Sequence, residues 1–192
     1  MLRFLSACGW LLLMGPVAAQ PIIEEKTVYY EFSANTKKEI WQQILAKSPM
    51  GATNIAGHHA VNVATTEWTL GARYRLEGGL QRCTLTDVQP HLQITIRMPN
   101  WTNKWEADAV LAENWDNYVR MVSSHEDVHR QYAIRMATEY EAALMELGSF
   151  RYCRELKEEM EKVRQTILGK FNAHNKWFDA KEFVYQKELV WF

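Results

Sequence analysis

Several bulk signals are missing from this sequence, and each absence removes a class of function. Acidic and basic residues nearly cancel, 22 Lys and Arg against 23 Asp and Glu, for a formal net charge of -1. The charges are interspersed, so there is no basic stripe to hold nucleic acid and no polybasic patch for an anionic membrane. No apolar run reaches the roughly 20 residues that a stable membrane-spanning helix needs. There is no repeat, low-complexity tract or linker, and a single domain is expected. No proline occurs after Pro99, which leaves the second half free of helix breakers. Cysteine is scarce: the three present show no C-x-x-C spacing, which argues against a thiolate metal site.

What is present begins with a leader. Arg3 precedes a Leu- and Trp-rich run, and Gly15-Pro16 and the small residues Val17-Ala18-Ala19 follow. This order reads as a signal peptide over residues 1–19, cleaved before Gln20, and predicts an exported protein, periplasmic or secreted. Leu5-Ser6-Ala7-Cys8 offers the competing reading of a lipoprotein anchored through Cys8, but most of the apolar stretch lies after that cysteine rather than before it. Residues 20–192 then form the single mature domain. Export places Cys83 and Cys153 in an oxidising compartment, where a pair normally closes into a disulfide.

The run Thr27–Phe32 is rich in β-branched and aromatic residues, and Ser33-Ala34-Asn35-Thr36 behind it suits a helix start. The pattern predicts a strand and then a helix over about 36–47, with Ile40, Ile44 and Leu45 on one face and Pro49 and Gly51 beyond its end. From about 59 to 98, apolar and polar residues alternate between Gly and Pro punctuation, predicting antiparallel strands with a turn at Gly78-Gly79 and a stop at Pro99-Asn100. After Trp105 the period becomes helical. Trp115, Tyr118, Val122, His125, His129, Tyr132 and Met136 recur at steps of three or four along one helix ending near Gly148, and Leu156, Met160, Val163, Ile167 and Phe171 mark a second. The expected fold is α+β: an N-terminal antiparallel sheet with one helix, then a long C-terminal helical hairpin.

The sharpest feature lies on the first long helix. His125-Glu126-Asp127-Val128-His129 is an H-E-x-x-H motif. Four residues are just over one helical turn, so both imidazoles leave the same face and can grip one zinc ion. Glu126 is one position along and is suited to taking a proton from water activated by that ion. This chemistry belongs to a zinc-dependent hydrolase of zincin-like type. Three fixed positions in five also arise by chance; here, however, the motif sits on the apolar stripe of a helix in an exported chain, and imidazoles there need a polar partner.

The sequence resembles a bacterial family of predicted secreted zinc-dependent proteases, DUF922. The resemblance is carried in order by YYEFSANTKKEIWQQI, TEWTLGARYRL, the Cys83 strand through HLQITIRMPNW, the approach from Trp115 to Tyr118, HEDVH itself and Cys153. It implies a mixed α and β domain, export, a zinc peptidase activity and the Cys83–Cys153 link. In that family a Tyr-Asp pair near the C-terminus is followed by His-Gly. Here Phe178-Asp179 stands for the first pair and Val184-Tyr185 for the second, so a ligand or catalytic aid from that histidine is missing.

Two candidates remain for the third ligand. A hairpin turning near 148–150 brings residues some 20 to 25 positions later back to the level of His125 and His129, because both helices rise about 1.5 Å per residue. His174 lies there and extends the second stripe. Asp179 lies about one turn further and is what the resemblance implies. Tyr132, on the histidine face, is a candidate oxyanion stabiliser or simply core. Glu139, Glu141, Glu155, Glu158, Glu159 and Glu161 alternate with Lys and Arg and read as solvated faces. His58, His59 and His91 read as surface residues. The sequence therefore predicts an exported zinc metallopeptidase acting on peptide or protein, with Glu126 as catalytic carboxylate. The alternative is a non-catalytic descendant that binds zinc or a partner.

Overall fold

The aromatic run at Tyr29-Tyr30 lies within a longer strand, β1 (Ile22–Phe32), in a computed structural model that describes residues 20–48, 52–55 and 58–186. The leader expected at 1–19, with Cys8, and also Pro49 and Gly51 lie outside the described residues. Helix α1 (Lys37–Lys47) starts on Thr36, whose side chain accepts from the Glu39 amide, while Glu39 accepts from the Asn35 amide at 2.6 Å. These reciprocal bonds satisfy amides that a helix start leaves open. Ile40 and Ile44 are buried, whereas Leu45, expected beside them, is half exposed.

Two short strands, β2 (Ala52–Ile55) and β3 (His58–Val61), pair with each other as a separate two-stranded sheet among the described residues. Two long ones, β4 (Thr65–Gly79) and β5 (Arg82–Trp101), form an antiparallel hairpin. The hairpin turns at Leu80-Gln81, not at Gly78-Gly79, which end β4. Gly78 makes room instead for the disulfide, since a Cβ there would meet Cys153 Sγ at 3.2 Å. Near the middle of the hairpin the register shifts by one residue, and Asp87 takes a positive φ of 52°, a bulge that bends the ribbon.

The three-stranded sheet has the order β1-β5-β4, and β1 runs parallel to β5. The expected all-antiparallel sheet is therefore corrected to a mixed one. The cause is the long connection through α1 to β4, which lets β5 return in the direction of β1, whereas a tight hairpin cannot. β5 also runs through Pro99 to Trp101. Pro90 precedes the pairing of β1 with His91, and Pro99 lies beyond the pairing of β4 with Arg97. Each proline thus sits where β5 has a neighbour on one side only, and its missing N–H need not break a ladder.

One sheet face is polar, with His91 and Gln93 bonded to Glu24 and Arg97 to Glu67. The other carries Leu92 and Ile94 with Trp68, Leu70 and Ile96, and the long helix α2 (Ala109–Met145) covers it with Ala133, Met136 and Ala137. Asp108 caps α2 by accepting from the Val110 and Leu111 amides. Helix α3 (Cys153–Gln186) returns antiparallel to α2, as Lys170 against Glu139 and His174 against Tyr132 show. Cys83 and Cys153 form a disulfide with Cα atoms 5.1 Å apart, and Phe150 exchanges backbone hydrogen bonds with Cys83 at 2.8 and 2.9 Å. The β4–β5 end is thereby fastened to the start of α3. No helix among the described residues is long and apolar enough to cross a membrane.

Candidate metal centre

Four residues apart on α2, His125 and His129 project to one side, with Nε2 atoms 3.1 Å apart. That side faces α3. Glu126, a third of a turn away, faces the sheet instead and is 5 % exposed. The buried stripe of α2 therefore passes through the glutamate, and the histidines sit at its margin, half-buried between the two helices.

Asp179 of α3 meets both rings. Its Oδ1 lies 2.8 Å from His129 Nε2 and 3.3 Å from His125 Nε2. Among the described residues, these three side chains are the group that can hold a metal ion. Phe178 stacks on the His125 ring at 4.8 Å between centroids and meets His129 edge-on at 5.3 Å, closing one wall. Asp179 is 41 % exposed, so the cluster reaches solvent through it.

The donor set fits a divalent cation. Ligand bonds of about 2.0–2.1 Å in a tetrahedron place donor atoms roughly 3.3 Å apart, and the three separations here are 2.8, 3.1 and 3.3 Å. The hydrogen bonding points the same way. His129 Nδ1 lies 3.0 Å from Asn175 Oδ1, an acceptor that supports the tautomer with the proton on Nδ1, in which Nε2 offers its lone pair to an ion shared with Asp179. Two imidazole nitrogens and one carboxylate oxygen directed at one point suit a borderline cation such as zinc.

Without an ion, protons hold the cluster together. Burial alone would push the Asp179 carboxyl up, but hydrogen bonds from His125 and His129 and their charges outweigh it and hold it at about 2. For His129, burial lowers the pKa, yet bonds to Asp179 and Asn175 and the charges of Asp179 and Glu126 raise it overall. Glu126 is raised: burial dominates over the hydrogen bond from Thr66 and the nearby histidines. Thr66 Oγ1 donates to Glu126 Oε2 at 2.7 Å and lies 3.2 Å from the Glu126 carbonyl oxygen, so β4 fixes the orientation of the carboxylate.

His174 is not among the converging donors. It packs edge-on against Tyr132 at 4.3 Å and beside Trp177 at 5.6 Å. The connection between Met145 and Cys153 is centred on Ser149, but the helices pair with a later offset, Glu139 meeting Lys170 and His129 meeting Asn175, so the level facing the histidine pair falls several residues later than a turn at 148–150 implies. Tyr132 belongs to the same aromatic group, 6.1 Å from Phe178. Glu139 is paired with Arg135 and Lys170, as a solvated face requires, but Glu141 departs from that expectation and is buried, 6 % exposed. His91 bonds Glu24 on the outer sheet face. His58 and His59 lie in β3, and Val184 and Tyr185 in the last turns of α3.

Sequence reasoning missed Thr66 and Asn175. Thr66 carries no local signal, since it reaches Glu126 only through the sheet. Asn175 had one: it precedes Asp179 by four residues, the same spacing that joins His125 to His129. A family model described as bacterial protein of unknown function (DUF922) matches residues 27–186. Comparisons with curated proteins and with solved structures give no match.

Proposed function

Starting from a chain that belongs to the DUF922 family of bacterial proteins, we propose that it is an exported zinc-dependent hydrolase of peptide or amide bonds. His125, His129 and Asp179 hold the ion and Glu126 serves as general base. The observation that carries this reading is the convergence of His125 Nε2, His129 Nε2 and Asp179 Oδ1 from two helices, with the buried Glu126 carboxylate near enough to interact electrostatically with all three. Three protein ligands leave a fourth position, which distinguishes catalytic from closed structural zinc sites.

A zinc ion in that place supplies Lewis acidity and makes water a stronger acid at neutral pH. The remaining roles fall to the chain. Glu126 takes a proton from the attacking water and passes it to the leaving nitrogen as the amide bond breaks. Thr66 engages Oε2, which assigns Oε1 to the proton. The raised pKa of Glu126 suits a carboxylate that must both accept and release a proton near neutrality. The disulfide and the absence of a membrane-crossing helix among the described residues are compatible with action outside the cytoplasm.

The test compares purified wild-type and Glu126→Gln proteins for zinc content and for cleavage of a generic peptide mixture. The reading predicts one zinc in both and cleavage by the wild type alone. One zinc in both without cleavage by either points to a metal-binding protein that is not a peptidase, and cleavage that survives in Glu126→Gln removes the general base.

A further inference from the structure

The two histidines of the centre are not held alike. His129 Nδ1 is bonded to Asn175 Oδ1 at 3.0 Å, whereas His125 Nδ1 is buried with no hydrogen-bond partner among the described residues. A neutral imidazole carries its proton on one nitrogen only, and the hydrogen bond made by one nitrogen decides which one remains to bind a metal. An unassisted imidazole favours the proton on Nε2, the nitrogen that here faces Asp179 and His125, and the Asp179 carboxylate 2.8 Å away favours it there until an ion takes the proton's place. Something must therefore move that proton to Nδ1 before His129 can ligate through Nε2.

We propose that Asn175 is a positioning residue that performs this selection. Its amide oxygen holds the His129 proton on Nδ1, turns Nε2 bare towards the metal position and fixes the ring plane. The inference rests on the metal reading above and deepens it. It also gives α3 two functions within one turn: Asp179 supplies a ligand, and Asn175, four residues earlier on the same helix side, prepares a ligand on the opposing helix. His125 lacks such a partner, so the two histidines contribute unequally, and affinity depends on Asn175 through His129 alone.

The experiment has two readouts. Zinc titration by calorimetry is expected to show Asn175→Ala binding about 10- to 100-fold more weakly than wild type, the usual effect of removing such a partner. Asn175→Asp, which keeps an oxygen acceptor, is expected to stay within a few-fold of wild type, and His174→Ala, one residue away but outside the donor group, is expected to match it. Independently of metal, nitrogen-15 NMR of histidine-labelled, zinc-free Asp179→Ala protein, which lacks the carboxylate that competes for the proton at Nε2, is expected at a pH where the rings are neutral to place the His129 proton on Nδ1 and to shift it towards Nε2 when Asn175→Ala is added. Equal zinc affinity for Asn175→Ala and wild type, or a His129 protonated on Nε2 in Asp179→Ala, overturns the proposal. A wild type that binds no zinc, with the His129 proton on Nδ1 in Asp179→Ala, overturns the metal reading, and the ligation role of Asn175 falls with it.

Discussion

Glu126 shows how burial and a single hydroxyl set the character of one residue. A carboxylate at 5 % exposure is costly to keep charged, and the hydrogen bond from Thr66 offsets part of that cost while fixing which oxygen is free to act. Hydrogen bonds to charged groups contribute about 1.5–3 kcal/mol, roughly ten- to a hundredfold in rate if the bond is kept through the transition state. Thr66→Val is therefore expected to lower kcat by that factor with zinc content unchanged, and Thr66→Ser to recover most of it; steady-state kinetics with metal analysis checks both. At this scale the sequence was legible where spacing is local. His125, Glu126 and His129 lie within five residues, and helical period alone puts the two rings together. Thr66 is 60 positions away in sequence, and only the lie of β4 against α2 brings it in. The choice between His174 and Asp179 depends on a few residues of loop, a precision that helix rise alone does not supply.

Between elements, the contact of α2 with α3 is where protonation enters. In zinc-free protein Asp179 sits at about 2 against an ordinary 3.8. Its depressed value contributes stability that is complete above about pH 4 and lost as pH falls towards 2. His129 is raised above 6.5, so its contribution is complete below 6.5 and lost as pH rises through the raised value. The two groups share one contact, and the Tm of chelated protein is expected to be highest between about pH 4 and 6.5, with Asp179→Asn flattening the profile in a thermal scan. Zinc held at this contact is expected to reverse the upper limb, because the His129 Nε2 proton must leave before an ion binds, so that its stabilisation grows as pH rises through neutrality. At the far end of the hairpin the disulfide closes a separation of 70 residues, worth about 4 kcal/mol in the chain-entropy account. Replacing Cys83 and Cys153 together by Ser is expected to lower Tm by about 8–16 °C, at roughly 2–4 °C per kcal/mol for a domain of this size, while zinc affinity is retained because no donor lies near the bridge. Scanning calorimetry with zinc titration checks this. Both long helices and the cysteine pair were readable from the sequence, since period and counting are local or combinatorial. The parallel pairing of β1 with β5 was not, because alternation along a strand records which face is buried and says nothing of the neighbour's direction.

For the whole molecule, the sheet serves as a platform. Its apolar face seats α2, α2 presents the histidines sideways and Glu126 downward, and α3, fastened at its start by the disulfide, brings Asp179 and Asn175 into register. The Arg130 guanidinium, bonded to Glu25 at 2.7 and 3.0 Å, ties α2 to β1 one residue beyond His129. The central claim is that this scaffold closes around one divalent cation. It is tested most directly by an anomalous difference map at the zinc edge from crystals of the protein grown without chelator. The account predicts one peak, within about 2.0–2.2 Å of His125 Nε2, His129 Nε2 and an Asp179 oxygen. A map with no peak between those side chains, or with the ion held by His174 while Asp179 points away, contradicts it.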